Sequence, residues 1–160
     1  MWPVLAISLD MPEIVIAFDY GLRRIGIAVG DTLTKTARPL RTHHINDGGA
    51  LTELEWGRLD TEIRIAGAHR LVVGCPYNTN DSSQAMMDKA RAFGLGLSQR
   101  HALPLHWVDE RYSSIEATAQ LQARRKAGTK HQRIAKEDID SAAAAIILER
   151  WLAGEGEITL

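Results

Sequence analysis

The amino-acid sequence predicts a mixed α/β fold on one five-stranded sheet, three antiparallel strands followed by two parallel ones, flanked by helices. Three observations carry that expectation. The stretch Ile14–Asp31, IVIAFDYGLRRIGIAVGD, reads as two adjacent strands joined by a tight turn. Two later apolar runs, Leu71–Gly74 and Leu105–Val108, are short and separated by helical patterns, as parallel strands require. The chain has 160 residues, 45% hydrophobic and 24% charged, which is the balance of one globular domain and not of a disordered segment.

Each element follows from its local pattern. Ile14 to Phe18 form a nearly continuous apolar run, the mark of a strand buried on both faces. Ile25, Ile27 and Val29 alternate with Gly26, Ala28 and Gly30, which suits a second strand of a tightly packed sheet. Gly21 permits the turn between them, and Arg23 and Arg24 can face solvent there. Arg38–Ile45 is read as the third strand. Asn46-Asp47-Gly48-Gly49 then breaks the pattern, and a helix is expected from near Ala50 with Leu51, Leu54, Leu59, Ile63 and Ala66 at helical spacing. After Leu71–Gly74, a polar loop leads to a helix capped by Ser82 or Ser83, with Met86, Met87, Ala90, Phe93 and Leu97 as core.

The strand Leu105–Val108 closes with Asp109-Glu110-Arg111, and a helix is expected from about Ser113 to Arg124, capped by Ser113 or Ser114. Ala123–Lys136 holds Arg124, Arg125, Lys126, Lys130, Arg133 and Lys136 without an acid, and Gly128-Thr129 interrupts it, so it reads as a basic loop. The last helix spans about Asp138 to Leu152 and stops at Gly154 and Gly156. Met1–Asp10 lacks a basic leader region and is too short to cross a bilayer, so residues 1–12 read as an extension of a single domain spanning 1–160. Met11 is an alternative start.

Composition narrows the function classes. A formal net charge of −1 provides no global positive field, so a nucleic-acid site must come from local clustering. The single Cys75 excludes an internal disulfide and points to the cytoplasm, and no Cys/His cluster has zinc spacing. His43 and His44 face opposite sides of a strand, a poor arrangement for a metal pair.

Three acids stand out. Asp19 lies near the end of the first strand and Glu110 just beyond the last, where ligand sites of open α/β sheets gather. Asp140 opens the helical stripe Asp140, Ala143, Ala144, Ile147, Leu148 and Trp151, which places its carboxylate on the inward face. Plainer roles exist for two of them: an Asx-turn for Asp19 and a helix-dipole partner for Asp140. Asp31 and Asp109 can support such a site or serve as caps and turns, and Arg24 can reach a phosphate or pair with an acid. Three hard oxygen ligands beside arginines suit Mg²⁺ or Mn²⁺ and a phosphate, hence metal-assisted phosphodiester cleavage.

At this point the sequence resembles the YqgF/RuvX family of RNase H-like proteins. Asp19-Tyr20-Gly21, Arg24-Ile25-Gly26-Ile27-Ala28 and Asp31 are similar to its first motif, and Val72-Val73-Gly74-Cys75-Pro76 with Asn78 to its second. Val108-Asp109-Glu110-Arg111 matches the third, and Asp140 with Ala143-Ala144 and Ile147-Leu148 the fourth. The resemblance implies an RNase H-like fold and a metal-dependent endonuclease acting on structured nucleic acid, either in pre-16S rRNA 5′-end processing or as a Holliday-junction resolvase on branched DNA. It carries catalysis and metal binding onto Asp19, Glu110 and Asp140. Arg24, Arg111, Arg124, Arg125, Lys126, Lys130 and Arg133 are the candidate nucleic-acid contacts, and a homodimer would suit a symmetric junction. Two other readings compete: a kinase-like or actin-like ATPase, for which the chain is short, and a non-catalytic ribosome-assembly factor.

Overall fold

The computed structural model describes residues 11–46, 48–75, 81–110, 113–126 and 136–160, with the backbone alone at 81–83, 113–115, 125, 136 and 137. The strands are β1 (Ile14–Tyr20), β2 (Arg24–Asp31), β3 (Ala37–His44), β4 (Arg70–Cys75), β5 (Leu105–Asp109) and β6 (Glu157–Ile158). The helices among the described residues are α1 (Glu53–Ala66), α2 (Asp81–His101), α3 (Ser113–Lys126) and α4 (Lys136–Leu152). The strands form one sheet in the order β3-β2-β1-β4-β5-β6. β1, β2 and β3 are antiparallel neighbours, whereas β4 lies parallel to β1 and β5 parallel to β4.

The expected five strands are thus present in the expected directions, and the C-terminal tail adds a sixth. Gly154 ends α4, and the chain returns antiparallel to β5, pairing Trp107 with Ile158 and Val108 with Glu157. The Glu157 carboxylate holds the return in place. Trp151 Nε1 donates to its Oε1 at 3.0 Å, and His106 Nδ1 lies 2.6 Å from the same oxygen. These hydrogen bonds lower the Glu157 pKa. The tail carries no run of alternating apolar residues, so its pairing depends on these long-range partners.

Strand alternation divides the core into two layers of different grain. Ile16, Phe18, Tyr20, Ile25, Ile27, Leu71 and Val73 face α1 and α2, where they pack on Leu59, Ile63, Ala90, Phe93 and Leu97. Val15, Ala17, Ala28, Val72 and Val108 face α4 and meet Ala144, Ala145, Ile147 and Leu148. The second layer is built from small residues, so α4 lies close to the sheet. Its other side is covered by α3, with Ala117 and Leu121 against Ala142, Ala143 and Ile146. Residues 141–148 are therefore buried all round the helix, and the single inward stripe expected from the sequence becomes two packed faces.

Helix starts shift in instructive ways. α1 begins at Glu53 rather than near Ala50 because Thr52 caps it. Thr52 Oγ1 accepts from the Glu55 N–H at 3.2 Å, and Glu55 Oε2 accepts from the Thr52 N–H at 3.1 Å. That Thr-x-x-Glu spacing is itself a helix-start signal. The expected result for Thr52→Ala is a loss of about 1 kcal/mol in urea unfolding, with the slope against urea unchanged. α2 begins at Asp81, so Ser82 and Ser83 lie inside its first turn rather than at its cap. α3 begins at Ser113 and runs on through Lys126, which puts Arg124, Arg125 and Lys126 on a helix end instead of in a loop. Lys136 opens α4; Met1–Asp10 and residues 127–135 lie outside the described residues.

Candidate active site

Asp19 shares the strand face of Val15 and Ala17, so it points toward α4. Its register partner on β2 is Gly26. A β-carbon on Gly26 would run into the Asp140 carbonyl and lie 2.9 Å from the Ser141 nitrogen. The first turn of α4 therefore sits directly on Gly26, and this seat sets Asp140 beside Asp19. On the other side of β1, Gly74 of β4 makes room for Glu110. A β-carbon there would lie 2.9 Å from Glu110 Oε2 and 3.3 Å from Glu110 Cβ. The Glu110 N–H donates to the Cys75 carbonyl at 3.1 Å, extending the β4–β5 ladder by one bond and fixing where this side chain leaves the backbone.

The structure brings Asp19 and Glu110 into hydrogen-bond contact. Burial pushes the Asp19 carboxyl well above the usual carboxylate range, and the charges of Glu110 and Asp140 and the shared hydrogen bond push it further. Glu110 is also raised, mainly by burial, with the Asp109 charge adding and the Asp19 hydrogen bond opposing. Both carboxyls are thus held above their ordinary range by their shared burial, and Glu110 Oε2 is shielded from solvent.

Asp140 stands next to this pair but is held elsewhere. Arg24 Nε donates to Asp140 Oδ2 at 2.6 Å, and both side chains keep some exposure, 30% and 23%. Asp19, Arg23, Arg24 and Asp140 line an open cleft of about 250 Å³. Among the described residues, no three Asp, Glu, His or Cys side chains converge at metal-ligating spacing. Two of the three expected acids meet, and the third is adjacent and bound to arginine.

The remaining candidates sort clearly. Asp31 lies at the opposite end of β2 from Gly26 and forms a turn, accepting from the N–H groups of Leu33 and Thr34 at 3.0 and 2.8 Å. Cys75 is fully buried, and burial raises its thiol pKa to about 11, as for an inert core residue. His43 Nε2 lies 3.3 Å from Glu62 Oε1. Arg124 and Lys126 are exposed at the end of α3. Arg111, Lys130 and Arg133, with Tyr77 and Tyr112, lie outside the described residues. Sequence reasoning missed the two seats, Gly26 and Gly74; the signal available was a glycine inside each strand next to a motif acid's strand.

Residues 13–154 match the RuvX family, described as Holliday junction resolvase. The chain belongs to the RuvX family. A Nitrosococcus oceani relative named "Putative pre-16S rRNA nuclease" is 38% identical over 151 residues, covering 94% of this chain and 93% of that protein. A Xanthomonas euvesicatoria relative of the same name is 40% identical over 145 residues, covering 91% and 90%. RuvX membership makes the chain a hydrolytic nuclease.

Two solved structures share the RuvX chain's fold at low identity. Thermus thermophilus RuvC in complex with a Holliday junction substrate aligns with TM-score 0.56 at 16% identity, covering 91% of this chain and 99% of that one. A second T. thermophilus RuvC structure aligns with TM-score 0.51 at 15% identity, covering 90% and 98%. They show the RNase H-like fold that the resemblance implied. No described helix is long and apolar enough to cross a membrane.

Proposed function

We propose that the protein is a metal-dependent endonuclease of structured nucleic acid, with Asp19, Glu110 and Asp140 as its catalytic acids and the 5′ end of pre-16S rRNA as its target. The observation that carries this reading is the buried Asp19–Glu110 pair at the carboxyl ends of β1 and β5. Two carboxylates forced together out of water, over a glycine that leaves room for one of them, suit a hard divalent cation. Asp19 and Glu110 would hold Mg²⁺ or Mn²⁺, and Asp140 would join them when Arg24 lets it go. When bound, such an ion activates water and stabilises the leaving oxygen.

The chain's own residues supply the rest. β1 is flanked on both sides by paired strands, so Asp19 is held rigidly, and Gly26 fixes Asp140 relative to it. Arg24, released from Asp140, is placed to meet a substrate phosphate in the same cleft. Arg111, Arg124, Arg125, Lys126, Lys130 and Arg133 would track the backbone beyond it. RuvX membership removes the ATPase reading, and retention of all three acids disfavours a purely structural assembly factor.

The relatives' names favour rRNA, whereas the family description names a DNA junction, for which a homodimer would match the two-fold symmetry. The deciding experiment is cleavage of a pre-16S 5′-end RNA and a four-way DNA junction side by side, with Mg²⁺ and with Mn²⁺. Site-specific hydrolysis of the RNA is expected; cleavage of the junction alone would shift the substrate to DNA, and cleavage of neither would overturn the nuclease mechanism. Replacing Arg125, Lys126 and Lys130 by Ala should weaken binding across sequences and flatten the slope of log affinity against log salt by about two to three units. A titration from low to moderate salt reads this directly, and an unchanged slope removes the basic segment from the interface.

A further inference from the structure

We propose that the outer edge of the sheet, strand β3, seats a double-helical arm of the RNA beside the bond that is cut; this rests on the nucleic-acid reading above. The whole chain is balanced, with 19 Lys and Arg against 20 Asp and Glu. The hairpin from Arg24 to His44 is not: it carries Arg24, Lys35, Arg38 and Arg41 against one acid, Asp31. That acid is used by its own turn, where it accepts from the N–H groups of Leu33 and Thr34.

A bulge in β3 lines the cations up. Ala28 pairs with Pro39 and Ile27 with Arg41, so Leu40 is an extra residue and packs into the core. In a regular strand Arg38 and Arg41, three residues apart, would lie on opposite faces. With the bulge their partners are Val29 and Ile27, and both lie on the face of α1. Arg41 confirms this side: its Nε is 3.1 Å from Glu62 Oε1 on α1, and its side chain stays 57% exposed. Arg38 is exposed and makes no ion pair among the described residues. On the other face of the same edge, Ala37 and Pro39 share a small pocket with Arg124 of α3, beside Glu149. Cations thus flank the edge on both sides.

This edge begins at the acids. His44 pairs with Arg24, and the Ile45 N–H donates at 2.9 Å to the carbonyl of Arg23, which lines the acid cleft. From Arg24 to Val29, the partners of His44 and Arg38, the sheet rises about 17 Å, or about five base pairs of a double helix. Proline, a bulge and charge also keep a second strand from pairing with an edge, but charge of either sign would do that. One sign along a straight, rigid strand suits a phosphate backbone. Among the described residues none of the exposed large apolar side chains is aromatic, so the surface lacks the stacking platform that single strands use. A helix read by its shape and phosphates fits instead.

The test uses the full-length protein in EDTA, where binding is read without hydrolysis. The probes are an RNA hairpin with a single-stranded 5′ extension, the extension alone, and a DNA copy of the hairpin. Arg38→Ala combined with Arg41→Ala should weaken binding of the RNA hairpin about tenfold, flatten its salt slope by about two units and leave the extension within about twofold. Arg64→Ala combined with Arg91→Ala removes the same charge from exposed sites on α1 and α2 and should shift the slope little. Should the first pair not fold, Arg38→Glu takes its place with the same expected loss. An unchanged slope, an equal loss on the extension, an equal flattening from the α1 and α2 sites, a loss confined to the DNA copy, or failure of the wild type to bind the hairpin overturns the inference. A protein whose β3 variants lose the hairpin but which cuts nothing keeps this seat and rejects the nuclease reading; one that cuts while those variants hold the hairpin normally does the reverse.

Discussion

Asp19→Asn and Glu110→Gln are each expected to abolish cleavage, by a thousandfold or more, while raising thermal stability in EDTA. The two effects have one cause. In the fold the two carboxyls are buried against each other, and both pKa values are raised from the ordinary 3.8 and 4.5. A group whose native pKa is raised holds its proton in the folded state where the unfolded chain has released it. Its stabilising contribution is complete below the unfolded pKa and is lost as pH rises through the native value. Wild-type protein in EDTA should therefore lose stability from about pH 4 towards neutrality, and Asp19→Asn should lose much less. Adding Mn²⁺ at neutral pH should raise the melting temperature of the wild type and leave that of Asp19→Asn nearly unchanged. On the proposed mechanism the three acids would act on one ion as a unit, so a double mutant should be little worse than a single one. Melting curves at several pH values, with and without Mn²⁺, beside a cleavage time course, check every part. A folded Asp19→Asn with wild-type turnover would dismiss the site.

Gly26→Ala should cost about 3 kcal/mol or more and remove cleavage, although it adds a single methyl group. Its β-carbon would overlap the Asp140 carbonyl, with the Ser141 nitrogen 2.9 Å away. Both are backbone atoms in the first turn of α4, and that helix is pinned by Ala144, Ile147 and Leu148 against the sheet and by Ala142, Ala143 and Ile146 on α3. The helix cannot yield locally, so the strain spreads through a close-packed layer. Gly57→Ala is the contrast: nothing lies within 4 Å of its β-carbon, and it sits inside α1. It should stabilise by about 0.5–1 kcal/mol, because alanine gives up less chain entropy in a helix. Chemical denaturation of the two variants in parallel measures the difference. Equal, small effects from both would show that α4 is not seated on Gly26.

The order of elements, the directions of the first five strands and the positions of all three acids were legible in the chain. They rest on local signals: the apolar run 14–18, the alternation 25–29, and a carboxylate at the end of a buried strand. Those signals depend on neighbours a few residues apart, which is why they survive without a structure. The expected basic loop was read too long for the same reason in reverse. Arg124 to Lys126 carry charge that suits a loop or a solvated helix end equally, and only packing of Ala117 and Leu121 under α4 keeps the helix going.

What the tertiary structure decided is how the acids stand to one another. By sequence, Asp19, Glu110 and Asp140 were three candidates for one site, with plainer local roles open to Asp19 and Asp140. Folded, Gly74 admits Glu110 to the side of Asp19, whereas Arg24, at the start of β2, takes Asp140 for itself. The sixth strand belongs to the same class, since Glu157 finds Trp151 and His106 only after α4 has docked. Burial creates these differences. A pKa shift and an ion pair depend on which groups lose water together, and that is set by contacts between residues 19, 110 and 140, far apart in the chain and brought together by the β1–β4–β5 pairing and by the packing of α4 on the sheet.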